Sequence, residues 1–134
     1  MVETLTPAAA AELMSVQSVD VIDVRDEDEW VTGHIPGSRL VPLSRLREDV
    51  EAALSRGTTI IFVCAKGVRS LTAAKLAERF GFDNLYNLEG GVKAWEAAGL
   101  PLIIATRVAA YLVRCDRARR AVSARGDERD AACS

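Results

Sequence analysis

Cys64 closes the apolar run Ile60-Ile61-Phe62-Val63 and opens the segment Cys64-Ala65-Lys66-Gly67-Val68-Arg69-Ser70, after which a helical pattern begins. A cysteine at such a junction is placed for nucleophilic chemistry. Successive N–H groups of a curled loop can form a nest for an anion, and the first turn of the next helix adds its partial positive charge. Lys66 and Arg69 add two formal charges. All three favour thiolate over thiol; a free cysteine has a pKa of about 8.5, and helix N-termini with basic neighbours bring it to roughly 3.5–7.5. Gly67 permits a backbone conformation that a side chain would forbid, so the loop can curl around its anion. A cysteine beside a buried strand is, taken alone, more often a small hydrophobe. An apolar core residue needs neither the cations nor the glycine, and the segment therefore reads as a reactive thiolate.

The elements that hold this segment follow from pattern. Residues 58–63 form an apolar run without alternation, as in a strand covered on both faces. Residues 70–80 place apolar side chains at 71, 73, 74, 76, 77 and 80, a helical spacing closed by Gly81. Residues 19–24 read as a buried strand, residues 26–30 as one helical turn, and residues 33–37 as loop. Thr6-Pro7 and the alanine-rich run to Met14 predict a short capped helix. Residues 43–54, apolar at 43, 46, 50, 53 and 54, predict one helix ended by Gly57. Residues 85–88 predict a short strand, and Gly90-Gly91 leads into a helix carrying Val92, Ala94 and Trp95 that stops at Gly99-Leu100-Pro101. Strands alternating with helices imply a three-layer α/β domain with a central, mainly parallel sheet flanked by helices.

The whole chain of 134 residues, 49% hydrophobic and 27% charged, suits one soluble globular domain. Its net charge of −2 argues against a nucleic-acid binder. Residues 105–134 hold seven Arg against four acids, a net +3, so residues 1–104 carry −5. We therefore expect a domain over 1–104 and a basic C-terminal tail over 105–134, helical or disordered. Three cysteines without a C-x-x-C spacing fit neither a disulfide framework nor a zinc site. The opening Met1-Val2-Glu3 lacks a secretory pattern, and the longest apolar stretch, residues 100–113, is too short for a bilayer and contains Arg107. A cytoplasmic location, where a lone thiol survives, is the expectation.

The segment 64–70 resembles the active-site loop of the rhodanese family, C-x-x-G-x-R-S. Val21-Ile22-Asp23-Val24-Arg25 resembles the family's first strand motif. Glu29-Trp30-x-x-Gly33-His34-Ile35-Pro36-Gly37-Ser38 resembles its E-[aromatic]-x-x-G-H-I-x-G-[AS] signature. Leu88-Glu89-Gly90-Gly91-x-x-x-Trp95-x-x-x-Gly99-Leu100-Pro101 resembles its G-G-x-x-x-W-x-x-x-G-x-P ending. The likeness covers roughly residues 3 to 102. It implies a ping-pong sulfurtransferase: Cys64 takes a sulfane sulfur from an anionic donor such as thiosulfate, then passes it to a thiol or cyanide. Substrate-binding would fall to Ala65, Lys66, Gly67, Val68, Arg69 and Ser70, with Lys66 and Arg69 drawing in the donor. No metal or other cofactor is implied.

Asp23 and Arg25 end the first strand near the same sheet edge, as an ion pair or loop hydrogen bonds; the resemblance makes them braces of the site. It likewise marks His34, the only histidine, as structural. Trp30 and Trp95 read as core aromatics, Trp30 with an option on the pocket mouth. Glu89-Gly90-Gly91 reads as a tight turn, lacking the G-x-G-x-x-G spacing of a phosphate loop. Over residues 106–125, Val108, Leu112, Cys115, Ala118 and Val122 fall at helical intervals, leaving a basic amphipathic helix or a solvated appendage open. Neither membrane contact nor nucleic acid is expected of it. Nothing in the spacing makes Cys115 or Cys133 a partner of Cys64. Two other functions compete: a persulfide carrier serving a protein donor or acceptor, and a phosphatase or arsenate reductase of the same fold. The latter carry C-x5-R, whereas Cys64 to Arg69 is C-x4-R, a tighter cradle.

Overall fold

The computed structural model describes residues 1–104. Its elements in chain order are β1 (Val2–Leu5), α1 (Pro7–Val16), β2 (Val19–Asp23), α2 (Glu27–Thr32), β3 (Arg39–Leu40), α3 (Leu43–Glu48), α4 (Val50–Ala53), β4 (Thr59–Val63), α5 (Val68–Arg79), β5 (Leu85–Leu88) and α6 (Gly91–Ala97). The strands form one five-stranded sheet in the order β1-β5-β4-β2-β3, and every pairing is parallel. The expected α/β layering is present. The tail helix over 106–125, Cys115 and Cys133 lie outside the described residues. No described helix is long and apolar enough to cross a membrane.

The central position of β4 explains its unbroken apolar run. Ile60, Phe62 and Cys64 face one core, with Leu46 of α3, Val50 of α4 and Ala73, Ala74 and Ala77 of α5. Ile61 and Val63 face the other, with Ala10 of α1 and Val92 and Trp95 of α6. Burying each such aliphatic or aromatic side chain contributes about 1.5–3 kcal/mol. The alanine stripe on α5 lets that helix lie close on β4 and β5, which fixes its N-terminus at the carboxyl end of β4, where Cys64 begins the loop.

Several boundaries differ from expectation for local reasons. The helix expected over residues 43–54 is broken at Asp49, whose extended backbone and side chain cap α4 by accepting from Ala52 N at 3.1 Å. The apolar spacing continues across the break because both pieces cover the same core. The strands β1 and β3 escaped notice because one is a short edge strand carrying exposed Glu3 and Thr4, and the other has only two residues. The turn expected over residues 26–30 is a full short helix, closed at its start by a reciprocal Asp26–Glu29 capping box. The next difference matters most for chemistry. Helix α5 starts at Val68, two residues earlier than its apolar pattern suggests, so Arg69 and Ser70 sit in its first turn.

Candidate active site

The loop from β4 to α5 is shaped by where its carbonyl groups go. Cys64 O accepts from Val92 N at 2.8 Å and Ala65 O from Lys93 N at 3.1 Å, both in the first turn of α6. Gly67 O accepts from the side-chain amide of Asn87 on β5 at 3.2 Å. With its carbonyls held outward, the loop turns N–H groups toward the sulfur: Gly67 N lies 3.0 Å from Cys64 Sγ. Gly67 makes this possible with a left-handed φ of 95°. Gly91 lets α6 approach so closely that a Cβ there would stand 2.2 Å from Cys64 O. The glycine pair read as a tight turn is thus also the contact that orients the loop.

Cys64 is 2% exposed, on the floor of an open cavity of about 370 Å³. Burial pushes its thiol pKa up, but the hydrogen bonds open to the thiolate from the Ser70 hydroxyl and from the N–H groups of Ser70, Lys66 and Gly67 outweigh burial, and the net shift is downward. Ser70 Oγ is 3.3 Å from Sγ. The direction matches the sequence reading, which named the loop N–H groups among three causes; the Ser70 hydroxyl, in the first turn of α5, heads the lowering contributions.

Arg69 has a partner that the sequence did not disclose. Its guanidinium forms a two-pronged pair with Glu29 at 2.8 and 2.9 Å, across 40 residues of chain. The Arg69 guanidinium, outweighing burial, holds the Glu29 carboxyl down at about 2, and Glu29 in turn holds the Arg69 pKa above its ordinary value. Glu29 also accepts from Asp26 N in the capping box, so one carboxylate ties α2 to α5. The expected pair of free cations is therefore reduced at Arg69. Lys93 of α6, not singled out in the sequence, lines the cavity with Lys66, and neither lysine has an ion pair among the described residues.

Of the expected loop contacts, Ala65, Lys66, Val68 and Arg69 line the cavity, as does Glu29. Gly67 and Ser70 do not line it and instead contact the sulfur itself, Gly67 through its N–H and Ser70 through its hydroxyl. Asp23 and Arg25 are brought together outside the cavity wall as a buried pair at 2.8 Å, and Arg25 donates to Gly33 O at 2.7 Å. Removing one partner would strand a buried charge, at a cost of about 3–5 kcal/mol. His34 stacks on Trp30 with ring centroids 3.6 Å apart and bonds Trp30 O through Nδ1 at 3.0 Å. Burial pushes the His34 pKa below its ordinary value. Trp30 is in the core at 5% exposure and takes no part in the cavity mouth.

These features define a thiol seated in a ring of donors at the carboxyl edge of a parallel sheet, and the comparisons with known proteins agree with that class. A family model described as the rhodanese-like domain matches residues 6–98, and the chain belongs to that family. It is 33% identical over 100 residues to the uncharacterized protein slr1261 of Synechocystis sp., covering 75% of this chain but only 55% of that one. It is 35% identical over 92 residues to the thiosulfate sulfurtransferase GlpE of Pseudoalteromonas translucida, covering 68% of this chain and 86% of that protein. Among solved structures, a rhodanese-related protein from Thermoplasma volcanium matches with a TM-score of 0.70 at 30% identity, over 76% of this chain and 98% of that one.

Proposed function

We propose that the protein is a sulfurtransferase that carries a sulfane sulfur on Cys64. The observation that carries this reading is the N–H of Gly67 directed at Cys64 Sγ from 3.0 Å, on the floor of a small cavity with lysines at its wall. Such a cradle stabilises negative charge on sulfur both before and after the transfer. The name of the Pseudoalteromonas relative agrees with it.

In the proposed cycle Lys66 and Lys93 draw in an anionic donor such as thiosulfate. The Cys64 thiolate attacks the outer sulfur, the S–S bond of the donor breaks, and sulfite leaves with the bonding pair. Charge is conserved, and the new persulfide anion takes over the donors that held the thiolate. An acceptor thiolate or cyanide then attacks the terminal sulfur and regenerates Cys64. A preformed thiolate needs no separate base, in keeping with the place of the single histidine, His34, against Trp30 rather than at the cavity wall.

A phosphatase reading is disfavoured by Arg69. In the shorter C-x4-R loop its guanidinium is taken up by Glu29 rather than left to clamp a tetrahedral oxyanion. The test is thiocyanate formation from thiosulfate and cyanide, run beside hydrolysis of p-nitrophenyl phosphate, with Cys64→Ser as the control. The proposal expects thiocyanate from the native protein and none above background from the variant. Cys64-dependent phosphate release without sulfur transfer would overturn it.

A further inference from the structure

Ser70 is wholly buried on α5, Asn87 is 5% exposed on β5, and neither lines the cavity. Together they form a hydrogen-bonded chain from the sulfur to the loop backbone. The directions of its bonds are fixed by what each atom can do. Gly67 O can only accept, so Asn87 turns its Nδ2 toward it. That leaves Oδ1 of Asn87, which can only accept, facing Ser70, and the Ser70 hydroxyl donates to it. A serine hydroxyl has one proton. Ser70 therefore presents Cys64 Sγ, 3.3 Å away, with a lone pair, which suits a thiol that donates and opposes an anionic sulfur.

We infer that Asn87 is a positioning residue that competes with Cys64 for the single Ser70 proton, so that forming the thiolate requires the Ser70 hydroxyl to turn from Asn87 Oδ1 to Cys64 Sγ. The thiol proton leaves through the cavity to solvent. The Ser70 proton stays on Ser70 throughout and only changes direction. The persulfide presents the same demand, because its Sγ has no proton to donate. Asn87 thus balances two effects: its Nδ2 holds the loop that cradles the sulfur, while its Oδ1 holds back one donor until the sulfur is charged.

The inference rests on Cys64 being the reactive thiol of the proposed function, but its test reads thiol ionisation alone. The charged groups at the cavity are Glu29 from α2, Lys66 from the loop, Arg69 from α5 and Lys93 from α6. Asp23 and Arg25, at the end of the neighbouring β2, are paired with each other. None of these is altered in the variants below.

The experiment is the pH dependence of Cys64 alkylation by iodoacetamide in the native protein, Asn87→Leu, Ser70→Ala and the double variant. Loss of the Asn87–Gly67 bond is common to both Asn87→Leu proteins and cancels in the cycle. On the acid side of the thiol's titration, the effect of Asn87→Leu on rate should be about 3- to 10-fold more accelerating with Ser70 present than in the Ser70→Ala background, the worth of one freed hydrogen bond. An equal effect in both backgrounds, or a greater slowing with Ser70 present, would overturn the inference. Should Asn87→Leu not fold, the native protein still provides a test. The side-chain carboxamide 13C resonance of Asn87 should shift with the midpoint of alkylation and stay flat in Cys64→Ala; a resonance flat through the native thiol's titration would refute it. Sulfur transfer failing while this coupling stands would count against the proposed function alone.

Discussion

Replacing Gly91 with alanine tests whether α6 shapes the sulfur site. The added Cβ would stand 2.2 Å from Cys64 O and 2.6 Å from both the carbonyl carbon and oxygen of Ala65, all of them backbone atoms that no rotamer change can move. Position 91 also has φ +62, a left-handed conformation that costs a residue with a side chain about 1–2 kcal/mol. Relief of the clash requires α6 to retreat, which weakens the bonds from Val92 N to Cys64 O and from Lys93 N to Ala65 O. Each such bond contributes about 0.5–1.5 kcal/mol, so the variant should lose roughly 2–5 kcal/mol in all. A domain of ordinary stability, about 5–15 kcal/mol, survives that loss in most of its range. Urea unfolding measures it directly. With the loop carbonyls released, the donors that face Sγ lose their orientation, burial becomes the stronger influence, and the thiol should titrate at higher pH in alkylation assays. Stability within about 0.5 kcal/mol of native, with an unchanged alkylation profile, would refute the role assigned to α6.

Other perturbations read other parts of the site. The Glu29 carboxyl is depressed from 4.5 to about 2 by Arg69, so its stabilising contribution is complete above 4.5 and is lost as pH falls through about 2. Both side chains are more than a third exposed, which reduces the contribution to about 1 kcal/mol. The urea stability gap between native protein and Glu29→Gln should therefore be near 1 kcal/mol at neutral pH and close toward zero in acid; a gap independent of pH would contradict the pairing. Lys93→Ala should raise KM for thiosulfate by about 3- to 10-fold with kcat little changed, from the loss of roughly 1 kcal/mol of attraction. Its alkylation by uncharged iodoacetamide should remain native-like, and an unchanged KM would remove Lys93 from the donor's path.

What could be read in advance was whatever depends on near neighbours in the chain. The apolar run of β4, the following Cys64–Ser70 segment and the alanine-bearing face of α5 are local patterns, and each places the thiol where it is found. The Asp49 break was local too, but the apolar period continued through it and masked the cap. The features that escaped are contacts between segments far apart. Glu29 could be read as part of a helix start, yet nothing in its surroundings announces Arg69, and without that pair the loop seemed to hold two free cations. Asn87 sits within a short strand of apolar neighbours, where only a buried polar side chain needing partners hinted at a role. Lys93 is an ordinary exposed helical lysine until the β4–β5–α6 packing brings it to the cavity wall. The backbone donors that lower the thiol pKa were anticipated, whereas the Ser70 hydroxyl that heads them had been read only as a substrate contact.

The central claim is that the cradled sulfur of Cys64 holds a transferred atom covalently. Intact-mass spectrometry of the native protein after thiosulfate treatment, without reductant, tests it most directly. A gain of about 32 Da, mapped by peptide analysis to Cys64, absent in Cys64→Ser and discharged by cyanide, is the result expected for one sulfur atom. An unchanged mass, or sulfur that maps only to Cys115 or Cys133, would contradict it.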